Sequence, residues 1–171
     1  MDKNLIRNKN KLLRKQLDIK KASDVILSKI YSLKEFSAAK NVLIFYPLKY
    51  EINLLPLLNF KDKNFYLPKV DGENLLICPY STNLKKSGFN VMEPDDNIVC
   101  DDLSIIDLSF IPALAVDKNM NRIGYGKGYY DRLFSESEFR AKKIVVINKE
   151  LVVSKIDADK YDKKIDFYIT D

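Results

Sequence analysis

The sequence predicts an α/β domain built on a mostly parallel sheet flanked by helices, with an N-terminal helical segment and residues 1–171 as a single unit. Three observations carry that expectation. From residue 41 onward, short and continuous apolar runs alternate with polar or helical stretches, the mark of strands buried on both faces. Four of the six prolines (Pro47, Pro68, Pro79 and Pro112) directly follow such runs. Proline has no N–H to give a ladder, so these residues mark strand ends and loop starts. No repeat, low-complexity tract or linker divides the chain.

The elements follow in order. Residues 2–21 read as helical: at about 100° per residue, Lys3, Arg7, Lys11 and Arg14 fall within an arc of about 80°. Leu5, Ile6, Leu12, Leu13, Leu17 and Ile19 share a neighbouring apolar arc. The basic face is either a solvated surface or, through Lys3 and Arg7 one turn apart, a reach toward phosphates held elsewhere. A second helix has Ser23 as its expected N-cap, with Val25, Ile26, Ile30, Leu33 and Phe36 in the core. Strands are expected at 41–46, 65–67, 75–78, 108–111, 144–147 and 167–169, with a helix over 54–60. Residues 81–104 form either a functional flap or a short hairpin.

Composition excludes several chemistries. Histidine is absent from the 171 residues, which removes imidazole bases, Ser–His and Cys–His nucleophile pairs and His-ligated zinc. Phosphoryl transfer, which depends on positioning and charge stabilisation, survives that restriction. No long apolar run spans a membrane, no secretory signal opens the chain, and Cys78 and Cys100 lack metal or redox spacing. A cytoplasmic, monomeric protein is expected, with no membrane partner. The net charge of +5 is spread among interleaved lysines and acids, which fits an anionic small molecule as well as nucleic acid.

Three of the five glycines, Gly124, Gly126 and Gly128, stand at alternate positions in Arg122-Ile-Gly-Tyr-Gly-Lys-Gly-Tyr-Tyr-Asp-Arg132. The expected context is a strand over 107–112, then this loop, then a helix opening over 129–137. That arrangement aims backbone N–H groups and a helix N-terminus at an anion. Lys127 and Arg122 add positive charge, and Asp131 supplies a carboxylate for a Mg2+ shared with phosphate. The loop matches neither the Walker A spacing nor the dinucleotide fingerprint. On the residues alone, a phosphate site and a tight turn both remain open.

The run Asp107 to Asp117, followed by Asn121 to Arg132, resembles the signature of the 5-formyltetrahydrofolate cyclo-ligase (5,10-methenyltetrahydrofolate synthetase) family. The resemblance extends over the chain: Lys3-x-x-x-Arg7, Phe45 to Asn53, Phe89 to Pro94 and Asp162 to Thr170 are similar to further family segments. It implies ATP as co-substrate, Mg2+, and 5-formyltetrahydrofolate as the substrate cyclised. By that resemblance Lys3, Arg7, Arg122, Gly124, Tyr125, Gly126, Lys127, Gly128, Tyr129 and Tyr130 hold ATP. Asp131 and Asp166 bind the metal, with Asp162 or Asp171 able to replace the latter. Leu48, Glu51, Asn53, Phe89 and Tyr129 contact the folate, and Lys127, Tyr130 and Asp131 are the expected catalytic groups. Asn53 stands where other members carry an acid, and Phe89 where some carry tryptophan. Asp131→Asn is expected to remove turnover without affecting folding. The competing readings are a basic RNA-binding module using the N-terminal helix, and another α/β phosphate-binding enzyme such as a sugar-phosphate isomerase.

Overall fold

The structure, a computed structural model, describes residues 2–88 and 90–171. Helix α1 (Lys3–Leu13) starts at Asp2, whose side chain accepts from the Asn4 amide. It buries Ile6 and Asn10, and the Asn10 side-chain Nδ2 donates to the Leu114 carbonyl at 2.7 Å. A 3-10 turn at 14–16 breaks the expected single helix before α2 (Ile19–Tyr31) and the short α3 (Lys34–Ala38). Asp18, not Ser23, caps α2 by accepting from the Lys21 amide. Ser23 lies inside the helix, donating to the Ile19 carbonyl and accepting from the Asn53 amide.

The strands are β1 (Asn41–Leu43), β2 (Asn64–Asp71), β3 (Asn74–Pro79), β4 (Leu84–Lys86), β5 (Met92–Pro94), β6 (Leu108–Ile111), β7 (Ala115–Asp117), β8 (Arg122–Ile123), β9 (Lys142–Val146), β10 (Val152–Val153) and β11 (Phe167–Ile169). Six of them form the main sheet in the order β11-β9-β6-β1-β2-β3. All its pairs are parallel except the β2–β3 hairpin at one edge. The chain leaves β1 toward β2 and later returns to β6 on its other side, so the strand order reverses between β1 and β6. The interval 81–104 resolves into the antiparallel β4–β5 hairpin. Residues 54–60 form a 3-10 turn over Leu55–Asn59 instead of an α-helix. Pro56 lies in its first turn, where a missing amide is tolerated, so the shortness of the segment is what limits it to a 3-10 turn.

Alternation along the strands explains why their sequences are continuously apolar. Val42, Ile44, Phe110, Ile144 and Val146 face a core closed by α2 and α3 through Ile26, Ile30 and Phe36. Their neighbours face the opposite way: Leu43 toward Leu133 and Phe139, Ile111 and Val145 toward Leu151 and Ile165. Both faces are dry, as a parallel sheet requires. Among the described residues no helix is long and apolar enough to cross a membrane.

Candidate active site

A cavity of about 1030 Å³ opens beyond the carboxyl ends of β1 and β6. Open α/β sheets bind ligands at this place, because the chains diverging from neighbouring strands leave a crevice there. Phe45, Tyr46, Leu48 and Glu51, after β1, and Pro112, after β6, line it. Its volume is at the upper end for a single small-molecule site, which leaves room for two ligands.

The glycine loop forms one wall. It does not follow β6 directly as expected; the β7–β8 hairpin intervenes and carries it. The buried Asp117 braces that hairpin. Its carboxylate accepts from the amides of Asn119 and Asn121, the Asn121 side chain, and the Ile156 amide. Burial alone would raise the Asp117 pKa, but these four donors outweigh it and hold the carboxyl below its usual value. Helix α4 (Tyr129–Leu133) has only five residues, so its dipole adds little and side chains supply the positive charge.

Each loop glycine leaves space that a guanidinium uses. A Cβ on Gly124 would meet the Arg122 side chain at 3.1 Å, one on Gly126 the Arg7 guanidinium at 3.6 Å, and one on Gly128 the Arg132 guanidinium at 2.8 Å. Gly126 and Gly128 also hold positive φ, at 99° and 71°. The Arg7 Nε donates to the Gly124 carbonyl at 3.0 Å. Arg132 donates to the Lys127 carbonyl at 2.9 Å and to the Glu73 carbonyl at 2.6 Å, tying the loop to the β2–β3 turn. Among the described residues no acceptor takes the amides of Gly126, Lys127 or Gly128, so these donors remain for a ligand.

Behind the loop, the Arg122 guanidinium lies against the rings of Tyr130 and Phe134 at 5.7 and 5.3 Å. It pairs with Asp131 at 3.0 Å. Burial lowers the Arg122 pKa and the Asp131 charge opposes that effect; the group stays cationic. The Asp131 Oδ1 also accepts from the Lys163 amide at 3.1 Å. Lys3 is held by Asp159 and Asp162. Burial opposes its charge, yet the two carboxylates raise its pKa overall.

A second cluster closes the wall beside β1. Tyr125 donates its hydroxyl to the Glu51 Oε1 and accepts from Arg14. The Leu48 amide donates to the Glu51 Oε2 at 2.8 Å, so both oxygens of this acid are engaged. Burial first, then the Glu51 charge, pushes the phenols of Tyr125 and Tyr130 up, so both are protonated at neutral pH.

The structure brings Lys3, Arg7, Leu48, Glu51, Arg122, Gly124, Tyr125, Gly126, Lys127, Gly128, Tyr129, Tyr130 and Asp131 onto this one cavity. Two expected residues are elsewhere. Asn53 is exposed, and its side-chain oxygen accepts from the Leu55 amide just before the next turn. Asp166 sits at the amino end of β11, accepting from the Lys143 amide at 2.7 Å. It does there what Asp107 does for Lys40 and Asn41 at the amino end of β1. That is the end of the sheet opposite the cavity, and Asp166 does not line it. Asp171 accepts from the Lys149 amide and is also outside the lining. Asp162, the remaining candidate, does line the cavity. Phe89 lies outside the described residues.

Sequence reasoning assigned no role to Arg132, Asp117 or Glu93. Arg132 and Asp117 lie in the signature segment, and only their partners reveal what they do. Arg14 was visible on the arc of Lys3 and Arg7 but not as a brace for Tyr125.

The sequence model of the 5-formyltetrahydrofolate cyclo-ligase family matches residues 2–171. A probable 5-formyltetrahydrofolate cyclo-ligase of Schizosaccharomyces pombe is 28% identical over 166 residues, covering 85% of this chain and 81% of that protein. The Mus musculus 5-formyltetrahydrofolate cyclo-ligase is 27% identical, covering 83% and 78%. The NMR structure of Aquifex aeolicus 5,10-methenyltetrahydrofolate synthetase superposes with a TM-score of 0.84 at 30% identity, covering 98% of this chain and 89% of that one. The Mycoplasma pneumoniae 5,10-methenyltetrahydrofolate synthetase, at 22% identity and a TM-score of 0.79, shares the fold over 99% of both chains.

Proposed function

The chain belongs to the 5-formyltetrahydrofolate cyclo-ligase family, and we propose that its cavity carries out the ATP-dependent cyclisation of 5-formyltetrahydrofolate to 5,10-methenyltetrahydrofolate. The carrying observation is that one cavity joins a cationic loop to an apolar wall. Arg7, Arg122 and Lys127 stand at the loop, and Phe45, Leu48, Pro68, Val70 and Leu75 form the wall. A triphosphate suits the first and the ring system of a folate the second.

In the proposed reaction the formyl oxygen attacks the γ-phosphorus, and the bond to the β,γ-bridging oxygen breaks to release ADP. N10 then attacks the formyl carbon and loses its proton. The C–O bond to phosphate breaks, leaving the 5,10-methenyl ring and inorganic phosphate. The substrate oxygen is itself the nucleophile, so no histidine or activated side chain is needed. The cations and free amides of the loop gather the charge that moves across the γ-phosphate. Tyr130, held protonated, is a neutral wall for Arg122 and not a base.

Magnesium fits the acids present. Asp131 and Asp162 each engage one oxygen with protein donors, and among the described residues no donor reaches the other. No group of three acids clusters among the described residues. Phosphate oxygens and water would complete the shell, which is how this ion is usually held. When bound, it would neutralise phosphate charge.

Two free cysteines suit a reducing, cytoplasmic setting. The test is direct. Purified protein supplied with Mg-ATP and 5-formyltetrahydrofolate should develop methenyl absorbance together with ADP. Neither signal appearing would end the proposal.

A further inference from the structure

We propose that Glu93 reads the amino-pyrimidine edge of the folate, making it a specificity-determining residue for the reaction above. The inference rests on that reading of the cavity.

Glu93 lies on β5 and is 5% exposed, yet it lines the cavity. Its surroundings on that wall are Pro68, Val70, Leu75 and Val91, which offer no charge. Among the described residues no ammonium or guanidinium pairs with it: Lys85 is 2.5 Å from Asp95, and the Lys69 ammonium donates to the Asp96 carbonyl. One protein donor reaches it, the Val70 amide, at 3.2 Å from Oε1. Among the described residues no donor reaches Oε2, and Oε2 is not among the sealed polar atoms left without a partner, so it is open to water or a ligand in a residue that lines the cavity. A nearly buried carboxylate with half its hydrogen-bonding capacity unmet is costly unless something else supplies donors.

A folate offers the matching group. Its pyrimidinone ring presents N3–H and an exocyclic N–H side by side in one plane, two donors for one carboxylate. Glu51, the acid that the family resemblance makes a folate contact, is already committed to Leu48, Tyr125 and Arg14. It shapes the wall, while Glu93 has the oxygen to spare.

The experiment compares wild type with Glu93→Gln, which keeps an acceptor for the Val70 amide but turns an NH2 group toward the ligand's donors. Glu93→Gln should raise KM for 5-formyltetrahydrofolate by on the order of 10- to 100-fold, the range for a hydrogen bond to a charged group. KM for ATP should stay within about twofold, a split that a general loosening of the fold would not produce. Calorimetry on the wild-type protein gives a second measurement independent of any variant. A folate analogue lacking the exocyclic amino group should bind at least about tenfold more weakly than the parent. An unchanged folate KM in the variant, a parallel rise in both KM values, or equal wild-type binding of the two folates would overturn the assignment. Wild-type protein that binds no folate would defeat the cyclo-ligase reading instead.

Discussion

Asp131→Asn should unfold the protein more easily, contrary to what the sequence leads one to expect. Asp131 faces Arg122, whose side chain is 4% exposed, while its own is 25% exposed. Breaking a fully buried pair by neutralising one partner costs about 3–5 kcal/mol, since the other charge is left uncompensated. Water reaches Asp131, and an asparagine oxygen still accepts from the Lys163 amide, so about 2 kcal/mol is the expected loss. For a domain of this size that lowers Tm by roughly 4–8 °C. Adding Arg122→Met removes the stranded charge and places a thioether between the rings of Tyr130 and Phe134, a favourable packing. The double variant should therefore recover most of the lost Tm while remaining without turnover. Thermal unfolding of the ligand-free proteins, followed by circular dichroism, measures both steps. If Asp131→Asn melts with the wild type, or the double variant melts below the single one, the buried pair does not hold this wall in place.

Asp117→Asn should cost about 2 kcal/mol, because one of the two oxygens that accept four donors becomes an amide that cannot accept. The folded pKa of Asp117 lies below its unfolded value, so its contribution is complete above about pH 4 and is lost as pH falls through the folded pKa. Wild-type stability should fall in that acid window more steeply than that of Asp117→Asn, as denaturant titrations at stepped pH would reveal; parallel curves would refute the role. Gly128→Ala should cost about 1–2 kcal/mol for its left-handed backbone, φ 71°, and should also displace Arg132 from the Lys127 carbonyl. A raised KM for ATP beside a nearly unchanged KM for folate is the expected kinetic result, and the reverse split would contradict the loop's assignment to phosphate.

Much of the fold is legible in local sequence. Runs such as 42–46 and 108–111 lack alternation because both sheet faces are covered, and that property is written into each strand. The absence of histidine and the spacing of Gly124, Gly126 and Gly128 likewise narrow the chemistry before any coordinates exist. Not every local signal carries through to the fold. The apolar residues of 54–60 suggest a helix, but the span is too short for more than a 3-10 turn. The cap of α2 moved from Ser23 to Asp18 because the chain between the first two helices takes a separate turn.

The sequence by itself determined that this chain folds as a parallel α/β sheet and carries a glycine loop flanked by cations, since periodicity and composition act over a few neighbouring residues. Only the tertiary structure decided which acids line the cavity. Asp166 falls at the amino end of its strand and Asp162 on the cavity wall, although four positions separate them. Glu51 is engaged by Leu48, Tyr125 and Arg14, while among the described residues no donor reaches one oxygen of Glu93. Strand direction and hydrogen-bond saturation depend on partners distant in sequence, so no local pattern can specify them.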